Sequence, residues 1–187
     1  MLMGTSFVVS VFLQTVRGYS AIGTGVIFTA ATAGILASSL AAERWAKKYR
    51  QKTLIVTGFV VTIAGIGFLL GLVITWSSIW AFVPGLLLIG LGLGAMLTPS
   101  VNVVQSSFPE EQQGEISGLS RSISNLGSSF GTAIAGTILV SVVAEGNRSY
   151  GLAMASLAVF GLIGLGAALL LPADVGPEGG VAPAPSS

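Results

Sequence analysis

QGEISGLSRSISNLGSSFGTAIAGTILV, residues 113–140, decides the fold, because it is long enough to cross a bilayer yet polar along one side. At 100° per residue, Gly114, Ser117, Arg121, Ser124, Asn125, Ser128, Thr132 and Gly136 share roughly a third of the helix circumference. Ile116, Leu119, Ile123, Leu126, Phe130 and Ile134 occupy the opposite side. A membrane helix of this kind turns its apolar side to lipid or packed neighbours. Its hydroxyls, amide and glycines face a crevice or a close helix contact, as in a transporter or channel.

Composition agrees: hydrophobic residues are 52% of the chain and charged residues 8%, about a third of the share usual in a soluble domain. The absence of cysteine and histidine removes disulfides, thiol chemistry, the common zinc ligands and an imidazole base. No metal site or cofactor is expected. A net charge of +1 gives no basic face for a polyanion, so no nucleic-acid partner is expected.

Working outward, six apolar runs of spanning character lie at about 2–16, 20–42, 53–75, 79–104, 115–143 and 149–171. They predict an all-α membrane protein, a six-helix transmembrane bundle over 1–171, with 172–187 as a disordered, Pro/Gly/Ala-rich cytoplasmic tail. Met1 falls directly in apolar sequence without the basic lead of a signal peptide. The first run reads as a helix cut short and the chain as part of something longer.

Five of the eight basic residues, Arg44, Lys47, Lys48, Arg50 and Lys52, sit in or beside one loop, which the positive-inside rule assigns to the cytoplasm. Alternation then puts both termini on that side. Trp45 with Tyr49, and Trp76 with Trp80, are placed as interfacial anchors. Spans three and six are poor in polar residues, whereas Thr5, Ser6, Ser10 and Gln14 fall in span one and Thr98, Ser100, Asn102 and Gln105 in span four. Spans one, four and five are therefore expected to face a polar cavity, and three and six to face lipid.

Several stretches resemble a known family. GVIFTAATAGILASSLAAERWAKKYRQKTLIVTG (25–58), PGLLLIGLGLGAMLTPS (84–100) and the 113–140 stretch come in the order and spacing of the C-terminal half of major facilitator superfamily transporters. They look most like the 14-helix drug:proton antiporters, and QTVRGYSAIGTG (14–25) is similar to that family's usual link between helices. The resemblance implies two inverted three-helix repeats, one half of an alternating-access carrier. The spans matching one and four would line its path, two and five would flank it, and three and six would face lipid. It also implies a missing N-terminal half, a small organic substrate and the plasma membrane as partners and location. The chain departs from the family's cytoplasmic G-R-L-x-D-R-x-G-x-R pattern, since AERWAKKYRQK (42–52) has Lys47 or a neighbour where the Asp would stand.

Gln14, Asn102, Gln105, Asn125, Ser128 and Thr132 are the candidate substrate-pathway residues. Arg44, Lys47, Lys48, Arg50, Glu115 and Arg121 are candidates for a cytoplasmic gate. Along the fifth span, Arg121 and Ser117 are expected at the cytoplasmic rim, and Asn125, Ser128 and Thr132 in the cavity. Gly90, Gly94, Gly127 and Gly131, spaced for close helix approach, are assigned to packing, with Pro99 marking a bend in span four. GLGLGA (90–95) only loosely echoes a dinucleotide fingerprint, without a polar loop or ribose-binding acid.

No span interior holds Asp, Glu, His or Cys, so an enzyme is not expected. The same fact places any proton-coupling carboxylates outside these helices. The expected function is half of a secondary active transporter exporting drugs or other amphipathic organic compounds in exchange for protons. The alternatives are a non-transporting membrane scaffold or partner subunit, and a carrier of the same superfamily for a sugar or lipid.

Overall fold

The computed structural model describes residues 2–46, 48–75, 78–141 and 147–171. Lys47, Trp76 and the 172–187 tail, all named above, lie outside the described residues. Six α-helices follow in order: α1 Leu2–Val11, α2 Ala21–Ala46, α3 Gln51–Thr75, α4 Phe82–Ser106, α5 Gln113–Ser141 and α6 Asn147–Leu169. From α2 onward each spanning segment is long and apolar enough to cross a membrane. The first is completed by a π-helical turn, Phe12–Val16, which carries its apolar stretch to Val16.

Pairing among the helices carries an internal symmetry. α4 packs against α2 and α3, α1 packs against α5 and α6, and α3 meets α6. Exchanging one with four, two with five and three with six maps these pairings onto one another. That is the arrangement of two inverted three-helix repeats.

Glycine sets the centre of the bundle. A side chain at Gly90 would run into the Ala31 carbonyl of α2, and one at Gly94 into Ser38 Oγ. On the other side of α4, a Cβ at Gly92 would stand 2.5 Å from the Gly58 carbonyl of α3. Without Cβ atoms these backbones touch directly, so dispersion contacts replace the hydrophobic drive that lipid cannot supply. Small polar groups cause no penalty there. Ser38 Oγ donates to the Gly34 carbonyl at 2.8 Å and Thr62 Oγ1 to the Gly58 carbonyl at 2.8 Å, each within its own helix.

The core runs through Val8 and Val9 of α1, Phe12 and Leu13 of the π-turn, Leu86, Ile89 and Leu93 of α4, and Tyr150, Met154 and Leu157 of α6. α5 contributes to it through the buried Ala135 and Leu139 and the partly buried Ile138, near its C-terminal end. Its preceding turns leave their apolar side open: Leu119, Ile123, Leu126 and Phe130 are all more than half exposed. Gly127 likewise has nothing within 4 Å of a would-be Cβ, and at Gly131 such an atom would reach Leu157 at only 4.0 Å. The close packing expected of Gly131 is with α1, where a Cβ on Gly4 would stand 3.3 Å from the Gly131 carbonyl, whereas Gly127 has no such neighbour.

The ends of two helices are tied together at the basic end. Lys52 Nζ, in the first turn of α3, donates to the Leu169 carbonyl at 2.8 Å and to the Leu171 carbonyl at 2.6 Å. These carbonyls belong to the unsatisfied set at a helix C-terminus, where a cation also meets the negative end of the helix dipole. The start of α3 and the end of α6 consequently share one end of the bundle.

Candidate functional site

α4 and α5 enclose a crevice of about 560 Å³ that reaches from Leu97 to Gln105 along α4 and takes in Pro99's stretch of the helix. Proline removes an N–H from the helix ladder, and Ser100 Oγ, beside it, donates to the Met96 carbonyl at 2.6 Å. On either side of that point α4 presents Leu97, Val101, Val104 and Gln105 to the crevice, spaced four, three and one apart on one face. α5 supplies Ser117, Gly118, Ser120, Arg121, Ser124 and Asn125 from the facing side. One wall is thus mostly hydrocarbon and the other mostly hydroxyl, amide and guanidinium. Gln105 Nε2 donates to Ser117 Oγ at 3.2 Å and closes the crevice toward the basic end.

The sequence covered by this geometry decides the family. The chain matches the Major Facilitator Superfamily over residues 1–186. It belongs to the major facilitator superfamily. Members of this superfamily are carriers. It is 31% identical over 138 residues to the multidrug efflux pump LfrA of Mycolicibacterium smegmatis, covering 73% of this chain and 27% of that protein. The puromycin resistance protein pur8 of Streptomyces alboniger is 29% identical over 140 residues, 73% of this chain and 28% of that protein. The quinolone resistance protein NorB of Staphylococcus aureus is 29% identical over 137 residues, 72% and 29% respectively. The chain therefore matches little more than a quarter of the length of these curated relatives. Superfamily membership and the five long apolar helices make it a multi-pass membrane protein.

Within this superfamily fold the candidate pathway residues do not form one group. Gln105 and Asn125 line the α4–α5 crevice, and Arg121 and Ser117 line it with them. Of the α5 residues expected at a rim, Arg121 and Ser117, and of those expected in a cavity, Asn125, all three line this one crevice. Positions 117 to 125 rise only about 12 Å along a helix, so all of them reach one crevice. Asn102 is exposed and off the crevice wall, since the helix turns 100° between it and Val101. Gln14 is exposed and donates to Ser10 Oγ of its own helix at 2.8 Å. The Ser128 carbonyl accepts from Thr132 Oγ1 at 2.9 Å, and Thr132 lines a different hollow of about 520 Å³ between α1 and α5, with Phe7 and Gly136.

Of the gate candidates, Arg44, Lys48 and Arg50 are exposed around the α2–α3 turn, and Glu115 is exposed in the first turn of α5. Lys48 Nζ lies 5.8 Å from the Tyr49 ring centroid. Among the described residues Arg121 takes no carboxylate partner, so the crevice keeps an uncompensated cation.

The far end of the superfamily bundle holds a cluster that sequence spacing did not single out. The Phe12 ring lies 4.2 Å from the Tyr150 ring and 6.3 Å from the Phe82 ring, between centroids, joining α1, α6 and the start of α4. Arg17 stands over the Phe12 ring at 5.5 Å. The π-turn brings Arg17 there, its N–H bonding the Phe12 carbonyl at 3.2 Å, five residues back. The signal available in sequence was an aromatic near one end of each of three spans, which needs the helix pairing before it means anything.

Proposed function

We propose that this chain forms the C-terminal part of a secondary active exporter that moves amphipathic organic compounds, drugs among them, across the plasma membrane by alternating access. The observation that carries the reading is the α4–α5 crevice, with one apolar and one polar wall, in a superfamily chain similar to proteins named for drug efflux and resistance. An amphipathic solute is taken by such a pair of walls without full dehydration of its polar groups. Gln105, Asn125 and Arg121 contact the solute. Asn102, Gln14, Ser128 and Thr132 belong to other parts of the path.

The basic end, with six of the eight Lys and Arg residues against two at the other, faces the cytoplasm together with both termini. There Arg44, Lys48, Arg50 and Glu115 rim the inner mouth. Transport is exchanged for protons, and the coupling carboxylates belong to an N-terminal half, because the acidic residues here lie at 43, 110, 111, 115, 145, 174 and 178, outside the span interiors.

The reading is tested by expressing the chain as the C-terminal part of a full-length carrier, behind an N-terminal half, in a drug-sensitive host with its own pumps deleted. Raised resistance to several unrelated amphipathic drugs, lost in Asn125→Leu at unchanged membrane levels, supports it. Unchanged susceptibility at full expression, or uptake of a sugar in its place, contradicts it.

A further inference from the structure

The charge of the solute can be read from the donors of the crevice. On α5, Ser117, Arg121, Ser124 and Asn125 fall on one strip about 12 Å long. Ser117 Oγ already accepts from Gln105, which leaves its hydroxyl hydrogen to donate outward. The guanidinium of Arg121 adds a fixed cation with N–H groups in a fork that matches a carboxylate or sulfonate. No Asp or Glu lines the crevice, and the α4 wall of Leu97, Val101 and Val104 carries no charge. The strip is therefore rich in donors and holds one unpaired positive charge beside a hydrocarbon surface.

We propose that Arg121 makes this crevice selective for organic anions and zwitterions, its guanidinium holding a carboxylate or sulfonate while Leu97 and Val101 take the apolar body. The proposal rests on the reading that the crevice takes solute, and it adds the charge class. A body carrying only positive charge meets a like charge with no acid nearby to offset it, and binds more weakly. Arg121 is a specificity-determining residue in this scheme. It is exposed to the crevice and anchors no packing, so its replacement leaves the bundle standing.

Two dyes with the same xanthene skeleton and opposite charge, fluorescein as the anion and rhodamine 6G as the cation, separate the possibilities. Binding is followed by fluorescence anisotropy on the purified protein in phosphatidylcholine nanodiscs, with helix content checked by circular dichroism. The wild type and Arg121→Lys bind fluorescein more tightly than rhodamine 6G. Arg121→Gln weakens fluorescein about tenfold, the size of one lost charge-assisted hydrogen bond, and leaves rhodamine 6G unchanged or tighter. A wild-type preference for rhodamine 6G, or an unchanged ratio of affinities in Arg121→Gln, overturns the charge selectivity while leaving the exporter reading intact. Binding of neither dye by a fully helical protein overturns the crevice as a solute site, and the selectivity with it.

Discussion

Gln105 and Ser117 are joined across the α4–α5 crevice by a hydrogen bond of 3.2 Å, Nε2 to Oγ. The N-terminal half of α5 has little else to hold it, since its buried residues, Ala135 and Leu139, both lie toward its other end. A double-mutant cycle with Gln105→Ala and Ser117→Ala should return a coupling of about 1 kcal/mol, the usual net value of one such bond. Independent effects of the two substitutions on thermal stability would mean that the bond holds nothing in the lipid-embedded protein.

The glycines of α4 and α5 should respond in opposite senses to one added methyl group. Gly90→Ala places a Cβ against the Ala31 carbonyl and forces α4 away from α2, and overpacking of this kind costs about 1–3 kcal/mol. Gly127→Ala meets open space and gains helix propensity, so stability stays level or rises by up to about 1 kcal/mol. Melting of the two variants in the same detergent distinguishes them.

Removing the ammonium of Lys52 should loosen the last turn of α6. Lys52→Met keeps the apolar stem and loses both bonds to the Leu169 and Leu171 carbonyls. At this partly exposed site the loss amounts to about 1 kcal/mol. Hydrogen exchange should accelerate at the C-terminal turn of α6 and stay unchanged in the middle of α4.

Proton coupling should survive neutralisation of every acid at the α4–α5 turn. Glu110, Glu111 and Glu115 are exposed and outside the span interiors. The triple Gln variant is expected to keep the dependence of efflux on an imposed pH gradient. Loss of that dependence at normal expression would return proton coupling to this chain.

The helices were legible in the sequence because apolar length is a local property. The run read at 79–104 is observed as the Ile79–Ala81 turn followed by α4 to Ser106, and the run read at 115–143 as α5 from Gln113 to Ser141. The polar strip from Ser117 to Asn125 was equally legible, since 3.6-residue periodicity fixes which residues share a face. What periodicity omits is the neighbour that covers each face. Gly127 and Gly131 have the same spacing as Gly90 and Gly94, yet Gly127 meets no other backbone while Gly131 lies against Gly4 of α1, because α4 is central and α5 is peripheral. The hydrocarbon wall of Leu97, Val101 and Val104 escaped notice for a related reason: apolar residues in a membrane helix carry no mark until their partner helix is known. The π-turn at Phe12–Val16, likewise, has no distinctive residue to announce it.

The central claim is that the α4–α5 crevice is a watered solute path, and the chain's lack of cysteine allows a direct measurement. Single cysteines are placed at Asn125, in the crevice, and at Ile163, exposed on α6, and treated with a charged, membrane-impermeant methanethiosulfonate during drug efflux. Rapid labelling at position 125, with block of efflux, and little reaction at position 163 are expected of a watered solute path. Labelling at 125 as slow as at 163, or rapid labelling that leaves efflux unchanged, would contradict it.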